Sequence, residues 1–295
     1  MNPIDRARYA PFLAQLVVTR RCNLRCTYCD EYDAHSPPVP FDMLADRLAH
    51  LKRLGTFAVE LTGGEPLLNP NATDVVQEAT RLGFWRRMLI TNATLLTPDT
   101  IEGLNQAGLT DMQVSLDGVN PTRTTSKVLR LRRPELMVLG KHARFRVTLS
   151  AVLGSAPPDE VIEIVRFARE QGFRPRVLIQ HDSSGQSSLN GDEADALGKA
   201  LADLGIPGTR DLRKRLSLAP VPFKCRAGAR YLYVNEHGSV QWCSRTANLF
   251  SRALSDYTLE DLREQFLQRK PCTKRCTLGC VRSTSYPDEW RPQGT

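Results

Sequence analysis

Thr19-Arg-Arg-Cys-Asn-Leu-Arg-Cys-Thr-Tyr-Cys29 directly follows an apolar, β-rich run at residues 12–19, and this pairing of a short strand with a cysteine-bearing loop decides the fold. Outward from it, residues 12–182 alternate β-rich runs with amphipathic segments, the pattern of repeated βα units around a parallel sheet. The expected strands are 12–19, 57–62, 86–91, 111–117, 144–153 and 176–182. Helices are expected between them near 40–54, 71–83, 98–107, 131–142 and 158–172. Pro98 after Thr97 marks a helix start, and Gly83, Gly108 and Gly172 mark helix ends. Six such units make an incomplete barrel, so the expected class is α/β, a partial (β/α)6 parallel barrel.

Alternation within the strands indicates which face does chemistry. Met112, Val114 and Leu116 share one face of the fourth strand, and Gln113, Ser115 and Asp117 the other. In the fifth, Phe145, Val147 and Leu149 oppose Arg146, Thr148 and Ser150, while Glu60 and Thr62 oppose Phe57, Val59 and Leu61 in the second. Helices cover the apolar face, which leaves the polar set pointing into the barrel. A polar interior implies a wet cavity that holds a ligand, since a closed barrel is filled with branched apolar residues.

The 295 residues, 41% hydrophobic and 24% charged, have ordinary globular composition. No apolar run approaches the ~20 residues that span a bilayer. Asp5 and Pro11 interrupt the start where a secretory signal needs an apolar core, so no membrane role and a cytoplasmic location are expected. The net charge of +8 is scattered; its densest stretch, Arg130-Leu-Arg-Arg133, reads as a solvated helix start. Aromatic residues are 7% and do not interleave with basic ones, which argues against nucleic acid as a partner.

Eight cysteines in a reducing compartment point to metal or redox chemistry rather than disulfides. Cys22, Cys26 and Cys29 fall in a loop at the carboxyl end of the first strand, where parallel barrels build their sites. Soft thiolates select iron–sulfur or zinc, and three ligands leave one coordination position open for catalysis. A zinc knuckle needs a fourth ligand, and His35 is the one local candidate.

This Cys22-x3-Cys26-x2-Cys29 spacing resembles the signature of the radical SAM superfamily, and neighbouring motifs match in order. Tyr28 occupies the family's aromatic position near the adenine of S-adenosylmethionine (SAM). Thr62-Gly-Gly-Glu-Pro66 resembles the glycine-rich motif whose backbone and glutamate receive the methionine amino group. The resemblance thus assigns Gly63, Gly64 and Glu65 to that role, and the glycines permit a close backbone approach. Ile90-Thr-Asn-Ala93 resembles the end of the third strand, with Asn92 in place and Ala93 where a glycine is usual. Ser115-Leu-Asp-Gly118 resembles the fourth-strand motif whose side chains contact the ribose or the methionine carboxylate, which assigns Ser115 and Asp117. Arg146 and Ser150 are candidates for that carboxylate or the substrate, with Glu60 the expected partner should Arg146 be structural.

After Asp182 the composition turns to Ser, Gly and Asn, a linker with a helix near 192–204. Domain boundaries are expected as a barrel core over 1–182, a linker with its helix over 183–224, and a cysteine-rich region over 225–295. Tyr231 to Trp242 reads as a β-hairpin turning at Asn235-Glu-His-Gly238, whose returning ends let Cys225 and Cys243 meet. Cys225-x12-Gly238-x4-Cys243 with Cys272-x3-Cys276-x3-Cys280 resembles the SPASM extension or its shorter twitch form, a small cysteine-rich β-hairpin/helix region. Five cysteines imply one auxiliary [4Fe-4S] cluster with one of Cys272, Cys276 and Cys280 spare; a four-cysteine zinc site is the alternative.

The resemblance implies a [4Fe-4S] cluster on Cys22, Cys26 and Cys29, SAM cleaved to a 5′-deoxyadenosyl radical, and hydrogen abstraction from a substrate. Oxidation or cross-linking with help of the auxiliary cluster would follow, and flavodoxin or ferredoxin would donate electrons. With the cysteine loop starting at residue 22 and no peptide-binding domain before it, a small polar metabolite is expected, with a peptide as the alternative. A zinc scaffold and an RNA binder are the readings from other classes.

Overall fold

The computed structural model describes residues 8–29, 31–180, 191–205, 223–273, 276 and 278–293. Its first part is six βα units: strands β1 (Leu13–Thr19), β2 (Ala58–Gly63), β3 (Arg86–Thr91), β4 (Asp111–Leu116), β5 (Arg146–Leu153) and β6 (Arg174–Ile179). Helices α1 (Phe41–Arg53), α2 (Ala72–Arg81), α3 (Pro98–Ala107), α4 (Leu129–His142) and α5 (Pro158–Glu170) connect them. Local chemistry sets several boundaries. Thr97 accepts the Thr100 N–H and Pro98 opens the first turn of α3, and Gly108 ends that helix at a left-handed φ of 86°. Leu44, Leu48 and Leu51 place one buried stripe of α1 on the sheet.

The strands pair in parallel in the order β6-β5-β4-β3-β2-β1, an open barrel wall whose apolar face packs on the helices. Met112, Val114 and Leu116 are buried there with Val147 and Leu149 in one continuous core. The polar face looks inward as the alternation requires. Gln15 donates to the buried Glu60 carboxyl at 2.6 Å, and Arg176 donates to Gln113 at 2.9 Å. The glycine-, serine- and asparagine-rich stretch after Asp182 and the expected end of the sixth strand at 181–182 lie outside the described residues. The helix expected near 192–204 is α6 (Gly191–Asp203).

The hairpin forms as the turn residues indicate, with β7 (Tyr231–Val234) antiparallel to β8 (Ser239–Gln241). It adds to the barrel wall: β7 runs parallel to β1, with Leu13 opposite Tyr231, and β8 and β9 (Arg252–Ala253) extend the sheet to nine strands. Helix α7 (Leu259–Leu267), started by a Thr258/Asp261 capping box, and helix α8 (Gly279–Ser285) close the far side. Around them, Arg226 is wholly buried and donates to the carbonyls of Phe266, Asp288, Arg291 and Pro292 while lying 4.0 Å from the Phe266 ring centroid. None of the helices in the described residues is long and apolar enough to cross a membrane.

Candidate active site

The loop after β1 is tied down at both ends before its thiols are placed. The Cys22 N–H donates to the Asp33 carbonyl and the Asp33 N–H to the Arg20 carbonyl, a small bridge that closes residues 20–33 into one lobe. Within it the Cys29 N–H bonds the Cys26 carbonyl, and the Thr27 N–H reaches the Thr124 carbonyl. Cys22 and Cys29 each accept a backbone N–H, from Leu24 at 3.4 Å and from Glu31, and the Cys26 thiol lies 3.4 Å from the Thr125 hydroxyl. Burial pushes the Cys22 and Cys29 thiols up from their ordinary value. The His35 N–H closes a turn on the Asp33 carboxyl.

All three cysteines line one cavity of about 270 Å³ at the carboxyl ends of the strands. Its other walls are Thr62, Gly63 and Gly64 at the end of β2, Ile90, Thr91 and Asn92 at the end of β3, Ser115 from β4, and Val152, Leu178 and Gln180 at the ends of β5 and β6. Leu24, Tyr28, Glu31, Tyr32, Lys127 and Arg245 complete the lining. Tyr28, Gly63, Gly64, Asn92 and Ser115 are thus brought together with the cysteines.

The structure gives several of the expected residues a different place. A Cβ on Gly63 would lie 2.0 Å from the Thr19 carbonyl oxygen, and one on Gly64 2.4 Å from those of Arg20 and Arg21. The close approach these glycines permit is therefore to the chain's own cysteine loop. Glu65 is fully buried behind the cavity wall and accepts from the Leu67 and Asn92 N–H groups and the Thr91 hydroxyl. Desolvation raises its pKa. Asp117 is likewise buried, and its carboxylate is a hub that accepts the Tyr28 hydroxyl at 2.5 Å and the Thr125 hydroxyl at 2.7 Å, with the Lys127 ammonium at 3.4 Å. The Asn92 amide spans Asn23 at 2.9 Å and the Cys22 sulfur at 3.8 Å.

Arg146 is not brought to the cavity. It opens β5 at the opposite end of the sheet, half exposed, and pairs with Asp111 at 2.9 Å beside Arg86. Alternation fixed its face but not its height along the barrel axis, and its partner is Asp111 rather than Glu60. Ser150 is off the cavity lining, fully buried opposite Ser115 across the β4–β5 pair, and its hydroxyl finds no partner among the described residues. Lys127 and Arg245 are the cations on the cavity wall, and Lys127 escaped the sequence reading because it sits in an aperiodic loop ten residues beyond Asp117. Burial alone would depress its pKa, but Asp117, Cys26 and Cys29 outweigh that and raise it. Glu31, Tyr32 and Arg245 were missed for the same reason: only adjacency to a cysteine marks them.

The second set gathers around a cavity of about 20 Å³ lined by Cys225, Cys243, Cys272 and Cys276. Burial pushes Cys225 and Cys243 up to about 12 and Cys280 to about 11. Cys280 is off that lining and meets the Tyr231 hydroxyl, which also bonds the Gln15 side chain. Trp242 stacks on Phe250 and donates to Gln265 at 2.6 Å, and the Lys270 ammonium lies 4.9 Å from the Trp242 ring centroid. Among the described residues no three Cys, His, Asp or Glu side chains gather closely enough for a single ion. The thiols of each set stand around the cavity they line.

Three soft thiols on the wall of an open, strand-end cavity have the donor chemistry of a catalytic iron–sulfur site, and the fold and site together define an enzyme of the metallocofactor type. Residues 16–182 match the Radical SAM superfamily, and the chain belongs to it. Membership implies a [4Fe-4S] cluster and SAM. The chain is 33% identical over 175 residues to a GTP 3′,8-cyclase of Mycolicibacterium smegmatis, covering 55% of this chain and 48% of that protein. It is 36% identical over 200 residues to an AdoMet-dependent heme synthase of Methanosarcina barkeri, covering 65% and 55%. The chain thus spans about half the length of these curated relatives. Its fold is similar to that of Streptococcus suis SuiB bound to the precursor peptide SuiA, with a TM-score of 0.68 and 15% identity over 85% of this chain and 64% of that one.

Proposed function

We propose that this chain is a cytoplasmic radical SAM oxidoreductase acting on a small polar metabolite, with a barrel core over residues 1–182 and an auxiliary iron–sulfur region over 225–295. The observation that carries it is the convergence of Cys22, Cys26 and Cys29 with the Gly63–Gly64 turn, Asn92 and Ser115 on one cavity. A [4Fe-4S] cluster held by Cys22, Cys26 and Cys29 would supply the one-electron reduction of SAM on which the family's hydrogen abstraction rests.

The chain's own residues hold and dry that site. Tyr28 is fixed by its hydrogen bond to Asp117 and presents its ring to the cavity. Lys127 offers a buried cation to the methionine carboxylate, the role first expected of Arg146. The backbone at Gly63 and Gly64 and the side chains of Asn92 and Ser115 supply the remaining polar edge, with Glu65 holding the Asn92 backbone and Asp117 holding Tyr28 and Lys127. Thr62, Gln180 and Arg245 on the same cavity offer polar contacts to a polar substrate.

Cys225, Cys243, Cys272 and Cys276 would hold the auxiliary [4Fe-4S] cluster, four thiols around one closed cavity, which leaves Cys280 as the spare thiol. The chain's net charge of +8 suits an acidic electron donor such as flavodoxin or ferredoxin.

The test is iron and sulfide content after anaerobic reconstitution, followed by dithionite and SAM with 5′-deoxyadenosine as readout. About eight irons in the wild type and about four in C22A/C26A/C29A are expected, with 5′-deoxyadenosine from the wild type alone. About four irons falling to none would make the second site zinc or empty; no iron and no cleavage would sink the enzyme reading.

A further inference from the structure

Two residues join the cysteine sites physically. The Cys29 thiol accepts the backbone N–H of Glu31. The Glu31 carboxylate lies 3.6 Å from the Arg245 guanidinium and 3.4 Å from the Tyr233 hydroxyl. The backbone N–H of Arg245 in turn donates to the Cys243 thiol. Thr246 fixes this turn, accepting the Cys243 N–H at 3.0 Å and donating its own N–H to the Cys243 carbonyl at 3.1 Å. Arg245 lines both cavities, and its side chain is only 9% exposed.

The pair is oriented. Its negative end belongs to the residue bonded to Cys29, and its positive end to the residue bonded to Cys243. Cluster potentials respond to hydrogen bonds at sulfur, to net charge and to burial. A carboxylate disfavours adding an electron nearby, and a guanidinium favours it. Arg245 is nearly buried and Glu31 about a quarter exposed, so solvent screens the pair only in part.

We propose that Glu31 and Arg245 form an electrostatic divider that holds the two iron–sulfur sites at unequal potentials, the Cys29 side lower and the Cys243 side higher. This rests on the reading of the second site as an iron–sulfur cluster. The divider makes the SAM-side cluster the stronger reductant and the auxiliary cluster the better electron acceptor. Both are positioning residues, acting through the sulfur environment rather than on the substrate.

The test is an EPR-monitored redox titration of the reconstituted protein, without SAM, for the wild type, E31Q, R245Q and the charge-swapped E31R/R245E, each with its iron counted first. The Cys29-side potential is expected to rise in E31Q, and the Cys243-side potential to fall in R245Q. The gap narrows in both and narrows furthest in the charge swap. A purely structural ion pair would instead be rescued by the swap, with the wild-type gap restored, and that result overturns the proposal. So does an unchanged gap in E31Q and R245Q that retain about eight irons. A wild-type count of about four irons overturns the reading of the second site and the divider with it, an outcome the iron analysis separates from the other two.

Discussion

The two cysteine sites use the same ligand atom in opposite settings. The first stands on an open cavity of about 270 Å³ at the ends of parallel strands, with three thiols and a ring of polar groups. The second is a cavity of about 20 Å³ lined by four thiols with Phe223, Trp242, Leu278 and Val281, and by Arg245 and Lys270. A site that binds a substrate needs an unfilled coordination position and room beside it; a site that only holds a group is better closed. The supports differ as well. The first depends on backbone meeting backbone, where Gly63 and Gly64 touch the carbonyls of Thr19, Arg20 and Arg21. The second depends on a buried cation, Arg226, that gathers four carbonyls from the last 30 residues of the chain.

That contrast can be broken from either side. Gly64→Ala forces a Cβ to within 2.4 Å of two carbonyl oxygens that have no room to retreat. It should cost about 3 kcal/mol or more and empty the first site of iron while the second keeps its own. Thermal denaturation with iron analysis reads both, and full iron in a stable G64A protein would show that the loop adapts. Arg226→Met is the mirror experiment. It leaves several buried carbonyls without donors, at a cost of about 3 kcal/mol, and should empty the second site while SAM binding at the first persists. Loss of both together would mean that the two regions unfold as one unit.

The smallest effect sharpens the first site alone. Ala93 is the one residue other than glycine among those described with a positive φ, at 69°, and it is buried beside Asn92. An L-residue pays about 1–2 kcal/mol for that conformation. Part of this is offset because glycine is freer in the unfolded chain. Ala93→Gly should therefore stabilise the apoprotein by about 1 kcal/mol, a rise in Tm with no change in iron content at either site. A fall in Tm would mean that the buried methyl outweighs the strain.

Periodicity in two and in 3.6 residues, with helix punctuation at Thr97, Pro98 and Gly108, was enough to give the six βα units and the hairpin, because those signals act between near neighbours. The cysteine spacing and the Gly-Gly-Glu and Ser-x-Asp motifs marked the loop and the strand ends for the same reason. What sequence could not contain is which distant groups share a level of the barrel. Arg146 and Ser115 lie on inward faces of neighbouring strands, yet strand register puts Arg146 opposite Asp111 at the far end and Ser115 on the cavity. Lys127 reaches that cavity only because Asp117 and its loop fold back over β4, and Arg245 only because β7 docks on β1. Cys280 stands apart from four cysteines of equal chemical merit because Tyr231, from a strand some fifty residues earlier, takes its side chain. The sequence by itself determined the elements and the chemistry they carry; the register of the sheet, a property of pairs far apart in the chain, decided which of those groups meet.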